Sequence, residues 1–396
     1  MAASVPRGNS CTIRVRPRKD GTVAFDLRFR LNGSQRSLSF QDRKMAERAA
    51  GIVRSIGPIE ALKLLQVSIA EGHASLTVDE WAEQYISSLS GVEGKTTDHY
   101  RLYMTISISP TLGALPLAAV TPQRIAAWIN GQAEKYAAKT IKNRHGFLSA
   151  MFQAAVDEGI IERNPCAKSR LPEGEQREIV FLNLHEYQAI AARLPPEQRL
   201  LVQLAAATGM RWGEVSAVKP GDFDWHRGTV RVARAFKTSQ ARGMYVGAPK
   251  TRMSRRTISL PADIVPVLRE HARTAGEWMF TARSGEPYQY KHFHRRYWKP
   301  ALRLANGLPA FDTVPRPGSW WDQPPAEDPV GKWPGLHSLR HSHASWLIAD
   351  GIDMVTVQRR LGHESINTTV AIYTHLQPDM LRRPADAINR MLALGT

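Results

Sequence analysis

Between Leu336 and Leu376 the chain carries His337-Ser-Leu-Arg340-His341, then Leu361-Gly-His363, then Ile372-Tyr373-Thr-His375. No other stretch restricts the fold so tightly. A tyrosine, histidines and an arginine recur here inside helical apolar patterning, and a second arginine lies far upstream in Thr208-Gly-Met-Arg211-Trp-Gly-Glu214. Side chains of these types can surround one phosphate, because the planar fork of arginine holds two phosphate oxygens and stays charged.

The chain is 396 residues long and 43% hydrophobic, enough for two or three domains with buried cores. Its net charge of +17 points to a polyanion as partner, since neutralising phosphates releases counterions. Two cysteines, Cys11 and Cys166, lie far apart without metal-ligand spacing, which excludes a disulfide framework or zinc module and fits a reducing compartment. No apolar run approaches the ~20 residues of a membrane helix, and the N-terminus lacks a secretory apolar segment. The expected location is therefore cytoplasmic, and nucleoid-associated when the protein is bound to DNA.

Up to about residue 45 the pattern alternates as strands do: Thr12-Ile-Arg-Val-Arg16, Val23-Ala-Phe-Asp-Leu-Arg-Phe-Arg30 and Gln35-Arg-Ser-Leu-Ser-Phe40. Lys19-Asp-Gly21 and Asn32-Gly33 supply the turns of a small three-stranded sheet. Arg14, Arg16, Arg28 and Arg30 fall on every second position, so one face bears an arginine ladder suited to a DNA groove. A helix from Lys44 to about Ile56 can cover the other face. A glycine-containing stretch around Gly57 and Gly72 leads onward.

Helical periodicity follows from Thr77 to Lys168, opened by Thr77 with Glu80 as a capping box, with helices expected near 78–89, 96–106, 122–136 and 139–157. Lys135, Lys139, Lys142 and Arg144 are candidates to track a phosphate backbone. The polar run Leu171-Pro-Glu-Gly-Glu-Gln-Arg-Glu178 marks the next boundary. The expected domains are thus 1–70, 75–170 and 178–396. In the last, helices are expected at 184–193, 197–208, 213–217, 261–274, 290–305, 338–350, 353–360, 366–371 and 380–394, with strands near 229–236, 244–248 and 256–260. Residues 306–334, rich in Pro and Gly with Trp320, Trp321 and Trp333, read as a long loop. The fold class is α+β and multidomain: an N-terminal sheet, an all-helical domain, and a mostly helical domain with a small antiparallel sheet.

Breaking a phosphodiester without water needs a nucleophile, cationic donors around the phosphoryl oxygens, and an acid for the departing oxygen. Arg211 and Arg340 suit the second role, with Glu214 able to hold the first guanidinium. Arg340 follows His337 by three residues and shares its helix face. Lys250, in Ala248-Pro-Lys250-Thr-Arg-Met-Ser-Arg-Arg-Thr-Ile-Ser-Leu260, sits on an expected hairpin from which it can reach a groove; Lys237 is the rival. Tyr373 follows His363 by ten positions, and a tyrosine with an ordinary pKa near 10 attacks well only with cations and a base beside it. Zinc is the competing reading of His337, His341, His343 and His363, but no glutamate stands between the first two in the HExxH sense, nor does a cysteine or carboxylate supply a third ligand nearby.

These residues resemble the tyrosine recombinases, or phage integrases. The matching motifs are Thr208-Gly-Met-Arg-Trp-Gly-Glu214, Lys250 in its hairpin, His337-Ser-Leu-Arg-His341, Leu361-Gly-His363 and Ile372-Tyr373. The likeness covers residue 178 onward. More weakly, the helical unit is similar to a core-binding domain and the N-terminal sheet to the arm-binding domain of long integrases. The resemblance implies that Tyr373 forms a 3′-phosphotyrosine, that Arg211 and Arg340 bind the scissile phosphate, that Lys250 is the general acid, and that His337 and His363 assist proton transfer and phosphate binding. It implies neither metal nor ATP, and four protomers exchanging strands of two double-stranded attachment sites through a Holliday junction. A host bending protein and an excision factor are the expected accessory partners. The apolar stripe Leu381, Ala385, Ile388, Met391 and Leu392 would dock on a neighbouring protomer or on its own domain. The long 306–334 connection departs from most relatives. A DNA-binding regulator without chemistry and a type IB topoisomerase-like enzyme are the competing functions; the complete catalytic set speaks against the first, the basic N-terminal sheet against the second.

Overall fold

A computed structural model describes residues 10–17, 23–31, 34–71, 76–174, 179–249, 252–313 and 318–365. The chain forms two compact units, Met1–Gln176 with Ser239–Ala241, and Arg177–Thr238 with Arg242–Thr396.

In the first unit, β1 (Cys11–Pro17), β2 (Val23–Leu31) and β3 (Ser34–Phe40) form an antiparallel sheet in sequence order. The expected turns lie outside the described residues. Thr12 faces Arg28, Arg14 faces Asp26 and Arg28 faces Ser37, which puts all four candidate arginines on one face of the pleat. The opposite face, with Leu27 and Phe29, packs beneath α1 (Arg43–Ile56), whose Ala46, Ala49, Ala50 and Val53 are buried in the same core. Asp42 caps α1, accepting from the Lys44 amide at 3.1 Å.

The stretch after Gly57, expected as a connection, is instead a helix, α2 (Pro58–Glu71). Gly57 has a positive φ of 80° and closes α1, while Pro58 occupies the first turn of the next helix, where its missing N–H costs nothing. A glycine and proline that read as a linker are a stop and a start.

The helical part of this unit comprises α3 (Val78–Ser88), α4 (Gly94–Tyr103), α5 (Pro122–Ala133) and α6 (Ala138–Asp157), with a wider helical turn at Met104–Gly113 after α4. The Thr77 and Glu80 capping box is present. Ile141, Leu148, Met151 and Phe152 of α6 are fully buried, and the Trp81 indole donates to the Met151 carbonyl at 2.9 Å.

The second unit begins with α7 (Leu184–Ala192), α8 (Pro196–Thr208) and α9 (Trp212–Val215). Strands β4 (Phe223–Asp224), β5 (Thr229–Val232), β6 (Ala235–Ser239), β7 (Gly243–Gly247) and β8 (Arg256–Ser259) follow. Then come α10 (Ile264–Thr274), α11 (Tyr290–Phe293), α12 (Lys299–Ala305), α13 (Ser338–Ala349) and α14 (Met354–Leu361). The strand expected at 229–236 is two strands of different sheets: β5 lies between β4 and β8, whereas β6 pairs with β7. β7 and β8, which flank Lys250 in sequence, therefore belong to different sheets and do not pair as the expected hairpin would. A short helical turn at Arg252–Ser254 precedes β8.

Among its described residues, 306–334 contains no helix or strand. It is nonetheless fastened: Arg193 donates to the Pro324 carbonyl at 2.8 Å, Lys332 pairs with Glu186 at 2.8 Å, and Trp320 stacks on Tyr297. No helix among the described residues is long and apolar enough to cross a membrane.

Candidate active site

The α8 helix ends on Gly209, whose φ of 63° is the left-handed conformation that stops a helix. The chain turns there and presents Arg211 at the start of α9. Arg211 donates from Nη1 to Glu214 at 2.9 Å and to the Ser254 hydroxyl at 3.2 Å, and from Nη2 to the Gly362 carbonyl at 3.4 Å. Its side chain keeps 28% exposure, so part of the guanidinium still faces solvent.

Arg340 approaches from α13 and is buried. Its Nη1 donates to the Gly209 carbonyl at 2.6 Å and its Nη2 to the Leu361 carbonyl at 2.8 Å. Arg340 thus ties the end of α8 to the end of α14, and Arg211 bonds to the second of these turns beside it. The first turn supplies the Gly209 carbonyl; the second supplies the carbonyls of Leu361 and Gly362.

Gly362 ends α14 with φ 68°, and a Cβ there would lie 2.8 Å from the Met253 carbonyl and 3.1 Å from Ser254 Cα. Only glycine lets α14 end against that turn, and the next residue, His363, is buried as a result. His337 stands at the start of α13, with His341 edge-on to it at 4.8 Å.

Glu214 is 2% exposed and holds two cations, Arg211 and Arg256, the latter at 3.0 Å. Burial raises its pKa, but the charges and hydrogen bonds of Arg256 and Arg211 more than reverse this, leaving it ionised. Two guanidiniums therefore meet one carboxylate, and the charge of a third, Arg340, lies close enough to feel it. The excess positive charge is visible in its neighbours. Burial first, then Arg211, lowers Arg340 to about 9, which still leaves it charged at neutral pH. His363 is pushed down to about 3 by burial and then by Arg340 and Arg211. His337 keeps a solvent-facing side, yet the crowding of its ring, then His341, Arg340 and Arg211, lowers its pKa as well. Both imidazoles are neutral, able to give one hydrogen bond and accept another.

The structure thus brings Arg211, His337, Arg340 and His363 within one electrostatic neighbourhood. Lys250 and Tyr373 lie outside the described residues, as do the segments expected as helices at 366–371 and 380–394. Lys237, the rival acid, lies on β6. His343 belongs elsewhere: it is buried, its Nδ1 lies 2.8 Å from the Ala206 carbonyl, and Arg360 donates to its Nε2 at 3.1 Å. Among the described residues no three His, Cys, Asp or Glu side chains gather as a metal site would require.

Of the expected DNA-contacting residues, Lys135, Lys139 and Lys142 are exposed. Arg144 is not. It is 3% exposed, bonds to the Gln132 side-chain oxygen, and lies 3.8 Å over the Tyr136 ring, so its guanidinium is spent on internal packing. On the N-terminal sheet Arg16 is tied to Asp26 at 2.9 Å, a partner the ladder pattern did not reveal, while Arg14 and Arg30 are exposed and Arg28 half-buried.

Arg256 is the residue that sequence reasoning missed. Its signal was present: Arg256 and Ile258 share one face of β8, and Ile258 is fully inward.

The phage integrase family model matches residues 180–380, and the phage integrase central domain model matches residues 78–171. The chain belongs to the phage integrase family. It is a site-specific DNA recombinase, a DNA-breaking and rejoining enzyme of the tyrosine recombinase class. Among curated relatives, the recombinase is 28% identical over 311 residues to a XerC-like tyrosine recombinase of Caldanaerobacter subterraneus, covering 74% of this chain and 76% of that one. It is 28% identical over 257 residues to the ICEBs1 integrase of Bacillus subtilis, covering 64% and 66%. Among solved structures, the integrase of transposon Tn1549 in complex with a circular intermediate DNA superposes with a TM-score of 0.64 at 18% identity, covering 79% of this chain and all of that one. A lambda integrase tetramer bound to a Holliday junction covers 94% of this chain and 96% of its own, with a TM-score of 0.54 at 22% identity. These likenesses agree with the α+β multidomain fold of the recombinase.

Proposed function

We propose that the recombinase cuts through Tyr373. Its phenolic oxygen attacks the scissile phosphorus and forms a 3′-phosphotyrosine, while the bridging oxygen leaves as a 5′-hydroxyl with a proton from Lys250. Arg211 and Arg340 hold the non-bridging oxygens, and His337 and His363 pass the phenolic proton and complete the phosphate's hydrogen bonds. Rejoining reverses these steps with the 5′-hydroxyl of another strand. The observation that supports this reading best is the pair of arginines that meet at the end of α14 beside two neutral imidazoles, in a site where Arg211, Arg256 and Arg340 outnumber the one carboxylate, Glu214. A monoanionic phosphodiester is the ligand whose charge such a site complements. Lys250 and Tyr373 take their roles from sequence position.

On this reading residues 1–70 bind arm-type DNA, 75–170 clasp the core site, and 178–396 carry the chemistry. Four protomers act on two attachment sites, integrating and excising a mobile element such as a prophage, with a host bending protein and an excision factor as accessories. When bound to DNA the protein would be found with the nucleoid. The test is incubation in EDTA with labelled duplexes from the borders of its own gene, including nicked forms that trap the intermediate. An SDS-resistant adduct from the wild type and none from Tyr373→Phe is expected; DNA binding without any adduct would instead favour a regulator that keeps the fold and lacks the chemistry.

A further inference from the structure

Arg256 opens β8 opposite Val232 and reaches inward with a side chain only 6% exposed. All three of its nitrogens donate to protein: Nε to the Arg360 carbonyl at 2.6 Å, Nη1 to the Ser254 carbonyl at 2.9 Å, and Nη2 to Glu214 Oε2 at 3.0 Å. With those donors committed and so little surface left, it has no free fork for a phosphate. Its contacts instead touch three parts of the site. Glu214 is the carboxylate that holds Arg211, Ser254 accepts from Arg211 through its hydroxyl at 3.2 Å, and Arg360 lies three residues before His363.

We propose that Arg256 is a positioning residue for the cleavage reaction: it shares Glu214 so that Arg211 keeps net positive charge for the scissile phosphate, and it pins the end of α14 that delivers His363. The argument is one of charge sharing. A single carboxylate facing Arg211 alone would form a neutral pair, and the phosphate would compete with a buried anion for the same guanidinium. With Arg256 on Oε2, the carboxylate is shared between two cations. Arg211 can then hold its geometry through Glu214 Oε1 without surrendering its charge.

This rests on the phosphotyrosine reading above, and the test separates the two. Full-length wild type, Arg256→Gln, Arg256→Lys, Glu214→Gln and the double variant Glu214→Gln/Arg256→Gln are compared in single-turnover adduct formation on nicked duplexes from the gene borders. Noncovalent DNA binding and thermal melting are measured alongside. Arg256→Gln should lower the adduct rate about 100-fold with DNA binding within threefold of wild type. Arg256→Lys, which retains a cation for Glu214, should recover at least tenfold of that loss. The double variant should be faster than Arg256→Gln, because removing the orphaned carboxylate frees Arg211; a residue that merely packed would give additive or worse loss. A wild-type adduct with Arg256→Gln within threefold of normal, or a double variant no faster than Arg256→Gln, overturns the role of Arg256 alone. Failure of Arg256→Gln to fold leaves Arg256→Lys to decide, a folded lysine variant as slow as an Arg211→Gln control overturning the charge-sharing argument. No adduct from the wild type overturns the phosphotyrosine reading and this proposal with it.

Discussion

Replacing Gly362 by alanine separates the cost of a backbone conformation from the cost of displacing the site. The left-handed conformation at φ 68° costs an L-residue about 1–2 kcal/mol. The added Cβ, placed 2.8 Å from the Met253 carbonyl and 3.1 Å from Ser254 Cα, meets backbone that cannot rotate away, and overpacking of this kind adds about 1–3 kcal/mol. Gly351 provides the control: its φ is 93°, but nothing lies within 4 Å of its Cβ position, so Gly351→Ala carries only the conformational cost. At about 2–4 °C per kcal/mol for a unit of this size, Gly351→Ala should lower the melting temperature by about 4 °C and Gly362→Ala by about 10 °C. The catalytic contrast should be larger. The carbonyls of Leu361 and Gly362 hold Arg340 and Arg211, and a shift near 1 Å at a reacting centre costs about 100-fold. Calorimetry and single-turnover adduct formation read the two effects. If Gly362→Ala melts and cleaves as Gly351→Ala does, the close approach of α14 to the Met253 turn does not organise the site.

Acidification should destabilise the second unit in proportion to its neutral buried histidines. His343 and His363 are both held near 3, by burial first and then by neighbouring arginines, so the unfolded chain binds protons below its ordinary histidine pKa that the folded chain refuses. Stability is therefore lost as pH falls below about 6.5, on the order of 2 kcal/mol for each histidine between pH 7 and pH 5; a melting temperature unchanged over that interval would contradict the burial of both rings. Lys139→Ala and Lys142→Ala should each weaken DNA binding and reduce the salt slope by about 1 if they contact phosphates, whereas Arg144→Met should lower the melting temperature and leave that slope alone. A slope changed by Arg144→Met would return that arginine to the DNA surface.

The helical parts of both units were legible because their signals are local. Thr77 with Glu80 opens a helix as a capping box, and the apolar stripe of α6 faces the core. The departures share a cause: each turns on a partner distant in sequence. Gly57 and Pro58 look alike in a loop and between two helices, and only the packing of α2 decides. The strand expected at 229–236 divides because β8, arriving from residue 256, pairs with β5 and leaves β6 to β7. Arg144 and Lys142 stand two positions apart on one helix, yet 100° per residue turns the first toward Gln132 and Tyr136 and the second toward solvent.

The same distinction explains what the motif residues could and could not disclose about the site. Arg211 and Arg340 are recognisable by their company in sequence, and Glu214 marks one support of Arg211, but the bonds that orient Arg340 and complete those of Arg211 go to carbonyls at Gly209, Leu361 and Gly362, groups that every residue carries and no pattern marks. Here those carbonyls are available because two helices end in the left-handed conformation, α8 at Gly209 and α14 at Gly362, where the last acceptors of a helix have no partner within it. The glycines in Thr-Gly-Met-Arg and Leu-Gly-His therefore do for the arginines what the arginines do for phosphate. Each helix end offers acceptors that need a donor, and the guanidiniums satisfy them with one edge while Arg211 keeps part of its other edge open to a ligand.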